Sequence, residues 1–183
     1  HVPISSDSKY HDGMNTTITA RTQVCAVIGD PVEHSLSPQI HNAAFKAMGL
    51  DYVYVAFHVK RGEAGAAARA VRTLGLRGLS VTIPFKEAVI AHLDGIDPEA
   101  RAIGAVNTVV QCGGMLHGYN TDWIGVREPL AGLRGARAAV LGAGGAAAAA
   151  VYALRSLDMD VSVLARTPEK AERLAGRFGC RAG

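Results

Sequence analysis

Runs of apolar residues punctuate this chain. Val24-Cys-Ala-Val-Ile-Gly29 is almost wholly apolar, as a buried strand is, and Tyr52-Val-Tyr-Val-Ala-Phe-His58 reads the same way. Between them, Ser37-Pro38 offers an N-cap and a proline at the first helical position. The helix that follows puts Ile40, Ala43, Ala44, Ala47 and Met48 on one face, and Gly49 ends it. An Ala-rich helix is predicted over Glu63 to Leu74, then a strand over Gly78 to Ile83. That strand stops at Pro84, which has no N–H for a sheet ladder and is well placed to start a helix through Leu93. Asp97-Pro98 repeats the cap-and-proline signature for a short helix through Ile103. Val106 to Val110 and Met115 to Gly118, around Cys112-Gly-Gly114, make a hairpin. Asn120 or Thr121 caps a helix reaching Leu133.

From Arg137 the pattern is regular. Ala138 to Leu141 is a strand, Gly142-Ala-Gly-Gly145 a turn, Ala146 to Leu157 a helix and Val161 to Leu164 a strand. Thr167-Pro168 caps a last helix with Ala171, Leu174, Ala175 and Phe178 on one face. The chain therefore reads as α/β, an N-terminal α/β domain followed by a partial Rossmann-type dinucleotide-binding domain. The divisions fall at residues 1–20, 21–120 and 121–183. The first is polar and aperiodic, so it is expected to be a flexible arm.

Composition narrows the classes. The 183 residues are 49% hydrophobic and 19% charged, enough for a real core in a soluble protein. A net charge of +3, not gathered into runs, calls for no nucleic acid and no membrane surface. No apolar run approaches the roughly 18 residues of a spanning helix. Cys25, Cys112 and Cys180 are odd in number and far apart, which suits free thiols in a reducing cytoplasm. No cysteine pair or histidine pattern has metal-ligand spacing, so no metal site is expected.

Chemistry concentrates at element ends. Gly142-Ala-Gly-Gly-Ala-Ala147 matches G-x-G-x-x-A between a strand and a helix. The first glycine permits the tight turn, the second lets backbone approach a pyrophosphate, and the small third residue lets helix and strand pack closely. Free N–H groups at the helix start favour the anion. The second strand of this unit ends in Ala165-Arg166-Thr167 rather than in Asp or Glu. Arg166, with Thr167 and Lys170 nearby, suits a ribose 2′-phosphate and favours NADP over NAD. Upstream, Ser35, Ser37, Thr82, Lys86, Asn107, Thr121 and Asp122 all fall at predicted element ends. Each alone has a plain structural explanation as a cap or turn residue. Together they suit a small polyhydroxylated substrate bearing a carboxylate, with a lysine–aspartate pair for proton chemistry.

Ser35-Leu-Ser-Pro38, Val81-Thr-Ile-Pro-Phe-Lys86, Gly104-Ala-Val-Asn-Thr108, Gly118-Tyr-Asn-Thr-Asp122, Gly142-Ala-Gly-Gly-Ala146 and Arg166-Thr167 stand in one order and spacing. In these the chain resembles the shikimate dehydrogenase family, over about Val24 to Phe178. The resemblance implies NADP-dependent interconversion of shikimate and 3-dehydroshikimate in aromatic amino-acid biosynthesis. It makes Lys86 and Asp122 the catalytic pair. It makes Ser35, Ser37, Thr82 and Asn107, together with that pair, the shikimate contacts. Gly142, Ala143, Gly144, Gly145 and Ala146 become the pyrophosphate turn, and Arg166, Thr167 and Lys170 the adenosine-phosphate clamp. Lys86 as general acid/base and Lys86 as an electrostatic clamp on the oxygen both stand. Ser80 and Ala165 occupy positions where the family often has Asn. The chain also stops after strand, helix, strand and helix of the nucleotide unit, and is expected to be C-terminally truncated. A quinate/shikimate dehydrogenase of the same fold and a non-catalytic shikimate-binding fragment are the alternatives; monomer and homodimer are both open.

Overall fold

The computed structural model describes residues 17–183, so the expected arm lies outside the described residues as far as residue 16. The first part is built from β1 (Gln23–Gly29), α1 (Ser37–Ala47), β2 (Tyr52–His58), α2 (Ala64–Thr73), β3 (Gly78–Val81), β4 (Gly95–Ile96), α3 (Pro98–Ile103), β5 (Thr108–Cys112) and β6 (Met115–Tyr119). Its sheet runs β2-β1-β3-β5-β6-β4. β1 is parallel to β2 and β3, and β5 pairs antiparallel with β3 and β6. The antiparallel hairpin is closed by Gly113 and Gly114, both at positive φ, which only glycine adopts freely. Alternation along the strands divides the core. Ala26, Ile28, Leu79 and Val81 face Ala64, Ala68 and Val71 of α2, together with Phe85 and Val89. Val27, Tyr54 and Val32 form a smaller cluster on the other face.

The second part comprises α4 (Asp122–Leu130), β7 (Arg137–Leu141), α5 (Gly145–Ser156), β8 (Asp160–Leu164), α6 (Pro168–Phe178) and β9 (Arg181–Ala182). β7, β8 and β9 form a parallel sheet in that order. The chain thus enters the third strand that the sequence reading lacked. Val140, Val161 and Val163 pack against α5 and α6, and Trp123, Val126 and Leu130 bring α4 onto the same core. Among the described residues no helix is long and apolar enough to cross a membrane.

Three expectations are corrected. No α-helix spans 84–93. Ile83–Pro84 is a cis peptide in a turn, Phe85 is buried, and only a 3₁₀ turn forms at Ala88–His92. The Val106 N–H takes the Lys86 carbonyl at 2.7 Å, an acceptor that a continuing helix would need. Second, α1 presents a different face from the one its alanines mark. Ile40 and Met48 are 64% and 62% exposed. His41 stacks on Tyr54 at 4.2 Å, and Phe45 tilts against Tyr52 at 5.2 Å. The Asn42 side chain accepts from the Tyr54 N–H at 2.8 Å and donates to the Tyr54 carbonyl at 2.9 Å. Aromatic area and two hydrogen bonds to an open strand edge outweigh a stripe of methyl groups. Third, Ser37 begins α1 rather than capping it; Leu36 holds the cap position.

Asp94 ties this part together, accepting the Leu116 N–H at 2.7 Å and pairing with Arg72. The Leu116 N–H, then Arg72, hold its carboxyl below the usual carboxylate range. A depressed folded-state value means stability that is present above the unfolded value, roughly 3.9, and is lost as pH falls through the folded one. Asp94→Asn is therefore expected to lower Tm at neutral pH, with the difference narrowing below about pH 4. A Tm difference constant from pH 7 to 3 would contradict this.

Candidate functional site

A cleft of about 560 Å³ opens where the loop after β1, the turn after β3 and the start of β5 meet. The two loops are stitched by Asp30 N–H to Ile83 O, 3.0 Å, and Thr82 N–H to Ile28 O, 3.0 Å. Gly29 permits this approach, because a Cβ there would lie 2.6 Å from Thr82 Cγ2. Val32, buried, anchors the loop that carries Ser35 and Ser37, and the Ser37 N–H donates to Ser35 Oγ at 3.3 Å. Ser35, Ser37, Thr82, Lys86, Asn107, Thr121 and Asp122 all line the cleft.

At its base Lys86 Nζ donates to Asp122 Oδ2 at 2.6 Å, with the two side chains 18% and 30% exposed. Asn107 Nδ2 donates to the other carboxylate oxygen at 2.7 Å and to Thr121 Oγ1 at 2.9 Å. Asn107 Oδ1 in turn accepts the Thr121 N–H at 2.9 Å. The carboxylate is therefore fixed on both oxygens, and the ammonium keeps donors for a third partner. Asp122 opens α4, and its N–H is received by Asn120 Oδ1 at 3.0 Å, so Asn120 rather than Thr121 supplies the side-chain oxygen.

Sequence reading missed several wall residues. His34 and His41 line the cleft, and His41 lies one helical turn beyond Ser37, a spacing that would have found it. Tyr54 stands behind Ser80 and donates to its hydroxyl at 2.6 Å. Burial pushes the Tyr54 phenol up, so it stays a donor and leaves the Ser80 O–H free to point elsewhere.

A second cavity of about 520 Å³ lies across β7 and β8. Gly142, Ala143, Gly144, Arg166, Thr167 and Lys170 line it, joined by Arg173 and Arg177 from the same helix as Lys170. Gly142 has φ +125°, and a Cβ on Gly144 would meet nothing within 4 Å. The bare turn and the cationic wall fit a dinucleotide phosphate. Gly145 and Ala146, expected in the turn, do not line the cavity and sit in the first turn of α5.

A mixed-sheet part carrying a polar cleft, joined to a parallel strand–glycine turn–helix unit, defines a two-part α/β protein with a Rossmann-type half. Residues 27–109 match the shikimate dehydrogenase substrate binding domain. The chain is 51% identical to shikimate dehydrogenase (NADP(+)) of Moorella thermoacetica over 164 residues, covering 87% of this chain and 56% of that one. The crystal structure of shikimate dehydrogenase from Aquifex aeolicus superposes with a TM-score of 0.86 at 43% identity, over 91% of this chain and 64% of that. That of shikimate 5-dehydrogenase from Thermus thermophilus, in complex with NADP(H) and shikimate, gives 0.81 at 45% identity, over 88% and 62%. Over residues 27–109 the chain carries the substrate binding domain of the shikimate dehydrogenases, and it is similar to those enzymes over most of its length. It spans 56% to 61% of the length of the curated relatives it matches.

Proposed function

We propose that this chain carries the shikimate site, and the first part of the NADP site, of a cytoplasmic dehydrogenase interconverting shikimate and 3-dehydroshikimate. The observation that carries the reading is the Lys86–Asp122 pair, 2.6 Å apart, at the base of a cleft ringed by hydroxyls. Ser35, Ser37 and Thr82 hold the carboxylate and hydroxyl oxygens of the substrate, and Asn107 and Asp122 complete the set. NADP, when bound, supplies or takes up the hydride. Lys86 gives a proton to the ketone oxygen in the reducing direction and, as the neutral amine, takes the hydroxyl proton in the other. Asp122 orients the ammonium, and Asn107 holds Asp122. Gly142, Ala143 and Gly144 leave backbone open to the pyrophosphate, while Arg166, Thr167 and Lys170 face the adenosine phosphate.

Thermal-shift titration with shikimate tests this, with quinate as comparator. A ligand held by the folded state alone stabilises by roughly 2.7 kcal/mol at a hundredfold excess over Kd. For a chain of this size that is a rise in Tm of about 5–11 °C. A cooperative melt that neither compound moves would refute the reading, and a larger shift with quinate would reassign the substrate.

A further inference from the structure

Residues 103–107 pass between the two cores. Val106 packs into the first, while Ile103 and Ala105 pack into the second. The same segment touches both members of the Lys86–Asp122 pair. The Val106 N–H holds the Lys86 carbonyl at 2.7 Å. The Ala105 carbonyl accepts from Asn120 at 2.9 Å, and Asn120 receives the Asp122 N–H. From the nucleotide side a long charged side chain hydrogen-bonds this segment. Arg177 of α6 donates from Nη1 to the Ile103 carbonyl at 2.7 Å. Its guanidinium lies over Gly104, where a Cβ would come within 3.0 Å of Arg177 Cζ. Gly104 caps α3 at φ +71°, so its left-handed turn aims the Ile103 carbonyl and leaves the seat for the guanidinium.

We infer that Arg177 is a positioning residue for the Lys86–Asp122 pair. Its planar fork clamps the 103–107 segment from outside, and the segment holds the lysine backbone on one side and the aspartate turn on the other. Arg177 also lines the second cavity, and its guanidinium has donors beyond the one given to Ile103. The clamp itself is a statement about the folded chain; only its importance for shikimate rests on the function proposed above.

The test is chemical labelling of Lys86 in the intact chain, with modification of that lysine followed by mass spectrometry. An ammonium held against a carboxylate reacts slowly. Arg177→Met is expected to raise the Lys86 rate by about 3–10-fold, the size of coupling seen when a packed network is loosened. Arg173→Met removes a neighbouring cation from the same cavity without touching the segment, and is expected to leave Lys86 unchanged. If Arg177→Met does not melt cooperatively, Arg177→Lys keeps the charge but loses the fork and replaces it, with a smaller rise expected. Lys86 labelling unchanged in the Arg177 variant, or raised equally by Arg173→Met, overturns the proposal. A parallel shikimate titration separates the two readings. Faster labelling with a parent chain that ignores shikimate leaves the clamp standing and removes the proposed substrate. Faster labelling together with weaker shikimate binding supports both.

Discussion

Lys86→Met is expected to lower NADPH formation from shikimate by about a hundred- to ten-thousand-fold, the range a positioned proton donor commands. Methionine keeps an unbranched stem, so the packing of Lys86 Cβ and Cδ against Gly145, at 3.3 and 3.5 Å for a Cβ placed there, is largely preserved. Asp122 loses its ammonium partner but keeps the Asn107 hydrogen bond on its other oxygen. The melt should therefore change little while the rate collapses, and steady-state assay of parent and variant, each in the dehydrogenase that carries this chain, reads the difference. Near-parental turnover would remove Lys86 from the mechanism. Lys86→Arg separates its two proposed roles. A guanidinium holds its charge and does not give up its proton, so retained activity would favour electrostatic stabilisation of the oxygen over proton transfer.

Phe85→Ala should have the largest effect on stability. Phe85 is 2% exposed in the first core, between the cis proline and Lys86. Truncating a buried phenylalanine costs roughly 3–5 kcal/mol, here a fall in Tm of about 6–20 °C. The same ring anchors the turn that delivers Lys86, so shikimate binding should weaken even below the melting transition. Calorimetry and titration on one sample check both, and a drop in Tm of under about 3 °C would mean the site collapses around the cavity.

The nucleotide half was legible because its signals are local. A glycine turn between a short apolar strand and an alanine helix, and Thr167-Pro168 before α6, are each read from a few neighbouring residues. The cleft residues were legible as a set because each stands at the end of an element, where neighbours in space are set by topology. What failed depends on partners distant in sequence. Apolar spacing marked the Ile40 face of α1, but the amide of Asn42 and the rings of His41 and Phe45 decided its orientation through β2. The Pro84 helix failed because its carbonyl partner is Val106. β4, two residues long, has no pattern to read. Arg173 and Arg177 could have been placed beside Lys170 from helical spacing, yet nothing local linked Arg177 to Ile103.

The pairing of Asn42 with Tyr54 reaches beyond the fit of one helix. β2 is the outer strand of its sheet, and an outer strand offers its peptide groups to any passing chain. Asn42 occupies both groups of Tyr54 with a side chain, in the place where another molecule's backbone would hydrogen-bond. The middle of that outer strand is therefore closed to further backbone pairing, and one side-chain amide does the closing.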